Sequence, residues 1–239
     1  MTQKPYIYEN VIKKIKPGWV DFFECNKEKL ENILEKVNQD LENNKIFPFS
    51  KDLFRALFYF EPTDIKLILL GQDPYINSEI INNEIKPQAC GLSFSVLKCH
   101  KKIPPSLVNI YKEIKSCYPE ATIPTNGSLR RWVKKENILL LNSALTVIEG
   151  KSNTHQKLWA NFTDDLIKFI SEKNKQTMFL LMGNFAIGKS KLIDTKKHKI
   201  FTTAHPSPLS AYRFFGCNIF REINNYLESK NIESINWFN

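Results

Sequence analysis

Asp64-Ile65-Lys66-Leu67-Ile68-Leu69-Leu70 (DIKLILL) runs directly into Gly71-Gln72-Asp73-Pro74-Tyr75 (GQDPY). A short apolar run rich in Ile and Leu that stops at a glycine predicts a buried strand over Asp64–Leu70. The same pattern returns at Ile138–Leu141, Thr177–Met182 and Lys199–Thr203, predicting three more buried strands. Helical periodicity lies between them, at Leu129–Lys135, Asn161–Glu172 and Phe220–Lys230. Earlier, Asn26–Asn43 places Leu30, Ile33, Leu34, Val37 and Leu41 on one helix face. Ser106–Cys117 opens a helix after Pro104-Pro105, with Ser106 in the N-cap position. Buried strands alternating with helices predict an α/β fold: a single three-layer αβα domain around a central, mostly parallel four-stranded sheet. The domain is expected to span residues 1–239, with 1–45 as a helical lead-in.

Composition narrows the class. The chain has 239 residues, 42% hydrophobic and 12% aromatic, enough for a sizeable core and against a disordered protein. No apolar stretch approaches the ~18 residues of a membrane span. Met1–Val20 is polar and Lys-dotted, without the apolar centre of a secretory signal. The five cysteines are widely spaced and form no CxxC pair, so the expectation is free thiols in a reducing compartment. The formal charge of +9 suits an anionic partner such as nucleic acid, and equally an ordinary Lys-rich surface.

In parallel sheets, ligands bind beyond the carboxyl ends of the strands. Four segments occupy those positions: GQDPY, Asn142, GNFAIGKS (Gly183–Ser190) and HPSPLS (His205–Ser210). GNFAIGKS formally matches the phosphate-binding loop GxxxxGK[ST]. A nucleotide site also needs a strand ending in an Asp that helps hold Mg²⁺. The only such run here, LILLGQD, precedes the loop, so a glycine turn followed by a basic loop is expected. Taken singly, Asp73 reads as a helix cap, Asn142 as a turn residue and His205 as a hydrogen-bonded loop residue.

Together and in order, the segments resemble family 1 uracil-DNA glycosylase. The resemblance covers GQDPY, QACGLSFSV (Gln88–Val96), PPSLVNIYKEI (Pro104–Ile114), ILLLNSALTV (Ile138–Val147), THQKLW, FTDDLI, FLLMGN, HPSPLSAYRFFGCNIF (His205–Phe220) and INW (Ile235–Trp237). It implies hydrolysis of the bond between uracil and deoxyribose in DNA, as part of base excision repair. The implied catalytic residues are Asp73, which orients water and stabilises the cationic sugar, and His205, a neutral donor to uracil O2. Phe94 would stack on the flipped uracil, and Asn142 would read its N3–H and O4. Tyr75 would exclude the thymine methyl, and Gln72 would contribute through its backbone. Ser106 and Ser207 would hold flanking phosphates, with Asn184, Ser210 and Arg213 as further DNA contacts. Leu209 would fill the vacated stack. The resemblance implies no metal or cofactor, single- and double-stranded uracil-containing DNA as partner, no membrane, a monomer, and a cytoplasmic location (nuclear in a eukaryote).

Five departures accompany the resemblance. Ile76 stands where the family has His, and Asn77–Pro87 is longer than usual and reads as a solvated surface loop. Met182-Gly183-Asn184 replaces the common Trp-Gly-Ser. Arg213-Phe214 lack an intervening Gly, predicting a tighter Leu209 loop, and the stretch around Leu158-Trp159 is one residue short. They motivate an alternative, a DNA-binding or replication-scaffold relative with weakened catalysis.

Overall fold

The computed structural model describes residues 3–238. Its strands are β1 (Ile46–Phe47), β2 (Leu67–Gly71), β3 (Ser78–Ile81), β4 (Glu84–Pro87), β5 (Ile138–Asn142), β6 (Val147–Ile148), β7 (Met178–Met182) and β8 (Lys199–Thr203). Its helices are α1 (Tyr8–Ile12), α2 (Val20–Cys25), α3 (Lys27–Leu41), α4 (Pro105–Cys117), α5 (Arg130–Glu136), α6 (Gln156–Lys173), α7 (Asn184–Ile187), α8 (Ala211–Phe214) and α9 (Ile219–Ser229). Among the described residues, no helix is long and apolar enough to cross a membrane.

The central sheet has the order β5-β2-β7-β8, and every neighbouring pair is parallel. Strands β2 and β7 are buried along their whole length, which is why they read as unbroken apolar runs. β8 differs from the expected buried strand. It is one of the sheet's two edges, the one left open to solvent, and only Phe201 is buried. The crossover from β2 to β5 runs in the opposite direction to the one from β5 to β7, and right-handed connections of opposite direction place their helices on opposite faces. Accordingly, α6 packs with α3, and α4 packs with α9. The sheet lies between these helix layers.

One hydrophobic cluster runs from Tyr6 to Trp237. The N-terminal helices enter it through Phe22 and Phe23; Phe22 meets Phe162 of α6 at 5.2 Å. At the other end, Trp237 sits between Trp132 at 5.3 Å and Phe220 at 4.9 Å. Each such ring, fully buried, contributes about 1.5–3 kcal/mol or more.

Several boundaries differ from the sequence reading. β2 starts at Leu67, because Pro62–Asp64 forms a 3₁₀ turn. α6 starts at Gln156 rather than Asn161, since Trp159 and Phe162 both face the core. Ser106 is not an N-cap: Pro104 is, and Ser106 is the second residue of α4. The Asn77–Pro87 segment is largely solvent-exposed, as expected, but it is a hairpin rather than an irregular loop. β3 pairs antiparallel with β4 across Asn82 and Asn83, whose φ values are +52° and +59°. Two asparagines with positive φ are what a tight two-residue hairpin turn requires. Buried His100 braces it, Nε2 lying 3.0 Å from the Pro87 carbonyl oxygen. A short pairing of β1 with β6 is a further element without a sequence signal.

Candidate active site

β2 and β5 end side by side, with Gly71 paired to Asn142. A Cβ on Gly71 would lie 2.3 Å from Asn142 Oδ1 and 3.0 Å from Ser93 Cβ. Only glycine lets the asparagine amide sit over this strand end. Beyond it, Asp73, Tyr75, Phe94 and Asn142 line one recess, backed by apolar Leu53, Leu57, Cys90 and Leu140.

Asp73 is held at one oxygen. The backbone N–H of Asn153 donates to Oδ2 at 2.6 Å. Oδ1 is buried without a hydrogen-bond partner among the described residues. Burial pushes the carboxyl above the usual aspartate range, opposed by the Asn153 N–H and the nearby His155. Gln72 is engaged by both side chain and backbone. Its Nε2 donates to Asn153 Oδ1 at 2.6 Å, and its carbonyl accepts from the Ala144 N–H at 2.9 Å.

Phe94 has φ +59°, a left-handed conformation that costs a phenylalanine about 1–3 kcal/mol. Its neighbours hold it there. The Tyr75 hydroxyl donates to the Phe94 carbonyl at 3.1 Å. The Ser93 N–H donates to Leu140 O at 3.1 Å, sewing the loop to β5. The Phe94 ring lies 5.8 Å from that of His205, tilted 38°.

His205 follows β8. The Ser207 N–H donates to its Nδ1 at 3.1 Å, so that nitrogen is unprotonated and the neutral ring carries its proton on Nε2. Burial lowers its pKa and favours the same neutral form. Gly183, at φ +84°, packs against it: a Cβ there would lie 2.8 Å from His205 Cβ.

The HPSPLS loop is braced from within and from α4. Ser210 Oγ donates to the His205 carbonyl at 2.8 Å and lies 3.0 Å from Ser207 Oγ. Asn109 of α4 donates to Pro206 O at 2.8 Å. Buried Glu113 accepts from the Gly216 and Asn218 N–H groups, both at 2.8 Å. On this frame Leu209 stands 91% exposed, beside Tyr212 at 76%. The Arg213 guanidinium lies over the Tyr212 ring at 5.5 Å.

Thus Asp73, Tyr75, Phe94 and Asn142 share the recess and His205 flanks it, whereas Gln72, Ser106, Asn184, Ser207, Leu209, Ser210 and Arg213 lie outside its lining. The phosphate-loop match does not form a cradle. Asn184–Ile187 is a single helical turn, Gly188–Leu192 a 3₁₀ turn, and Lys189 pairs with Asp164 at 2.5 Å. Three contributors went unread in the sequence: Asn153, Asn109 and Glu113. The last two lay in a quoted motif without an assigned role. Asn153 precedes THQKLW, and its only local cue is the tolerance of asparagine for positive φ, here +63°.

A model of the uracil DNA glycosylase superfamily matches residues 57–228. The chain is 40% identical over 230 residues to a uracil-DNA glycosylase of Fusobacterium nucleatum, covering 95% of this chain and 97% of that one. It is 42% identical to that of Buchnera aphidicola, covering 93% and 96%. The crystal structure of mimivirus uracil-DNA glycosylase superimposes with a TM-score of 0.88 at 30% identity, covering 100% of this chain and 95% of that one. With the family model spanning most of the sequence and the fold shared along its whole length, this chain belongs to the uracil DNA glycosylase superfamily.

Proposed function

We propose that the enzyme hydrolyses the N-glycosidic bond of deoxyuridine in DNA, releasing uracil and leaving an abasic site for base excision repair. The observation that carries this reading is the convergence of an amide, a shape-blocking tyrosine, a stacking ring and a half-bound carboxylate in one recess. The target base must leave the helix to enter it. Leu209, exposed on a braced loop, fills the gap as an apolar wedge. Ser106, Asn184, Ser207, Ser210 and Arg213 hold the backbone, which positions DNA without reading sequence.

Inside, Phe94 stacks on uracil and Asn142 pairs with N3–H and O4. Cytosine reverses that donor and acceptor pattern, a mismatch that discriminates by roughly 10⁴–10⁵. Tyr75 blocks the position of the thymine methyl. As the glycosidic bond breaks, its electron pair stays with uracil and charge grows on O2, where His205 Nε2–H donates. Asp73 Oδ1 aligns water at the sugar carbon and takes its proton as the new C–O bond forms. Substrates are single- and double-stranded uracil-containing DNA, bound by a monomer. A scaffold would gain nothing from the strained Phe94 or the unpartnered carboxylate oxygen.

The test is an alkaline-cleavage gel on an oligonucleotide bearing one uracil. Wild type should release uracil and yield a cleavable strand. Asn142→Asp should lose uracil excision and gain some cytosine release, because a protonated carboxyl accepts from N4–H and donates to N3. Tight binding without release, or an Asn142→Asp protein as active as wild type, would overturn the reading.

A further inference from the structure

Lys151, Ser152, Asn153 and Thr154 are exposed in succession, yet this stretch supplies the N–H that grips Asp73. What fixes it lies beneath. His155 is 3% exposed and sits between two polar partners. Its Nε2 lies 3.0 Å from Oδ2 of Asp40 on α3, and its Nδ1 lies 2.7 Å from Thr146 Oγ1. Trp159 Nε1 donates to the same Thr146 oxygen at 2.7 Å. One assignment satisfies every group. Trp159 donates to Thr146, the Thr146 hydroxyl donates to Nδ1, and Nε2–H donates to the Asp40 carboxylate.

This directional chain ties the residue two positions after Asn153 to two separate elements. It sets the left-handed turn at Asn153, where φ is +63°. From that turn the backbone N–H reaches Asp73 Oδ2 and the side chain accepts from Gln72. The bond at Oδ2 holds the carboxylate against rotation and leaves Oδ1 as the oxygen without a partner among the described residues.

The geometry points to His155 as a positioning residue for Asp73, acting through the Asn153 backbone and anchored by Thr146 and Asp40. The inference rests on the role given to Asp73 above. It assigns the wedge-loop histidine and this buried histidine different tasks: His205 meets the base, whereas His155 touches neither base nor sugar and aligns the group that does.

The experiment compares His155→Ala and His155→Gln by single-turnover kinetics on uracil-containing single-stranded DNA across pH. A glutamine amide can still accept from Thr146 and donate to Asp40, but it never carries charge. A hydrogen bond to a carboxylate, when lost, costs about 10- to 100-fold in rate. His155→Ala should fall by that factor with KM unchanged. Its acid limb should move to higher pH, because the N–H that favours the ionised carboxylate is gone. His155 is the titratable neighbour facing Asp73, with Asp40 behind it, so a direct charge effect must be separated. His155→Gln does this: positioning predicts that it restores most of the rate and the acid limb. A glutamine protein as impaired as the alanine one overturns the inference. So does an alanine protein that melts earlier but turns over with the wild-type rate and pH profile. Asp73→Asn is the control. Wild-type activity there would sink the role of Asp73 itself, a different failure.

Discussion

Replacing His205 by alanine removes one neutral donor from the place where charge develops. The structure sets the size of the effect. The ring is fixed by the Ser207 N–H at Nδ1, by Gly183 behind Cβ and by the Phe94 ring at 5.8 Å. Its Nε2–H is therefore preorganised rather than recruited during the reaction. Losing one such donor costs about 2.7–4 kcal/mol, or about 10²–10³ in rate. Because the bond strengthens only in the transition state, the single-turnover rate should fall while DNA affinity holds. Acidity supplies a second readout. Burial holds the His205 pKa below the ordinary ~6.5, so the neutral donor persists as pH falls through that value and the wild-type rate shows no histidine inflection there. Stability carries the opposite sign. Near that pH the unfolded chain binds a proton that folded His205 refuses, so the folded state loses stability as pH drops below about 6.5. His205→Ala should lack that component of the loss. The assay is single-turnover excision from a one-uracil oligonucleotide, on protein shown to be folded by its melting curve, with anisotropy for binding. A folded mutant excising at the wild-type rate refutes the reasoning, as does inactivity that merely tracks unfolding.

Asp73→Asn should abolish most excision yet raise the melting temperature at neutral pH. The folded carboxyl titrates above its unfolded range, so ionising it costs stability as pH rises through that window, and the difference should vanish below about pH 3.9; a lower melting point at pH 7 contradicts this. Tyr75→Ala should permit slow thymine release from single strands, whereas Tyr75→Phe keeps the block but loses the bond to Phe94 O, costing about 1 kcal/mol in urea unfolding. Thymine never released by the alanine mutant would remove Tyr75 from discrimination. Leu209→Ala should impair duplex substrate far more than single strands, since unstacking costs a few kcal/mol in a duplex and less without one; equal losses on both would exclude a wedge.

Much of this architecture was legible because its physics is local. DIKLILL and its three counterparts are apolar runs that only a buried sheet can house, and three of them form strands buried along nearly their whole length. Position after a strand end then singled out Asp73, Asn142 and His205, and the ordered motifs supplied their partners. Legibility stopped where pairing between distant segments took over. Lys199–Thr203 looks as strand-like as the others, and only the strand order makes it an edge. Nothing local distinguishes a hairpin from a loop at Asn77–Pro87 until Asn82 and Asn83 adopt positive φ together and His100 closes on Pro87. GNFAIGKS has the letters of a phosphate loop, but Asp164 on α6 captures its lysine. The strained Phe94 and the single-sided grip on Asp73 each depend on a group far along the chain: Tyr75, 19 residues away, and Asn153, 80 residues away. Sequence alone determined which chemical groups the protein owns and which strand ends present them. Tertiary contact decided which lone pairs and protons remain free, because hydrogen bonding is settled by distance and direction between segments that the sequence does not place together.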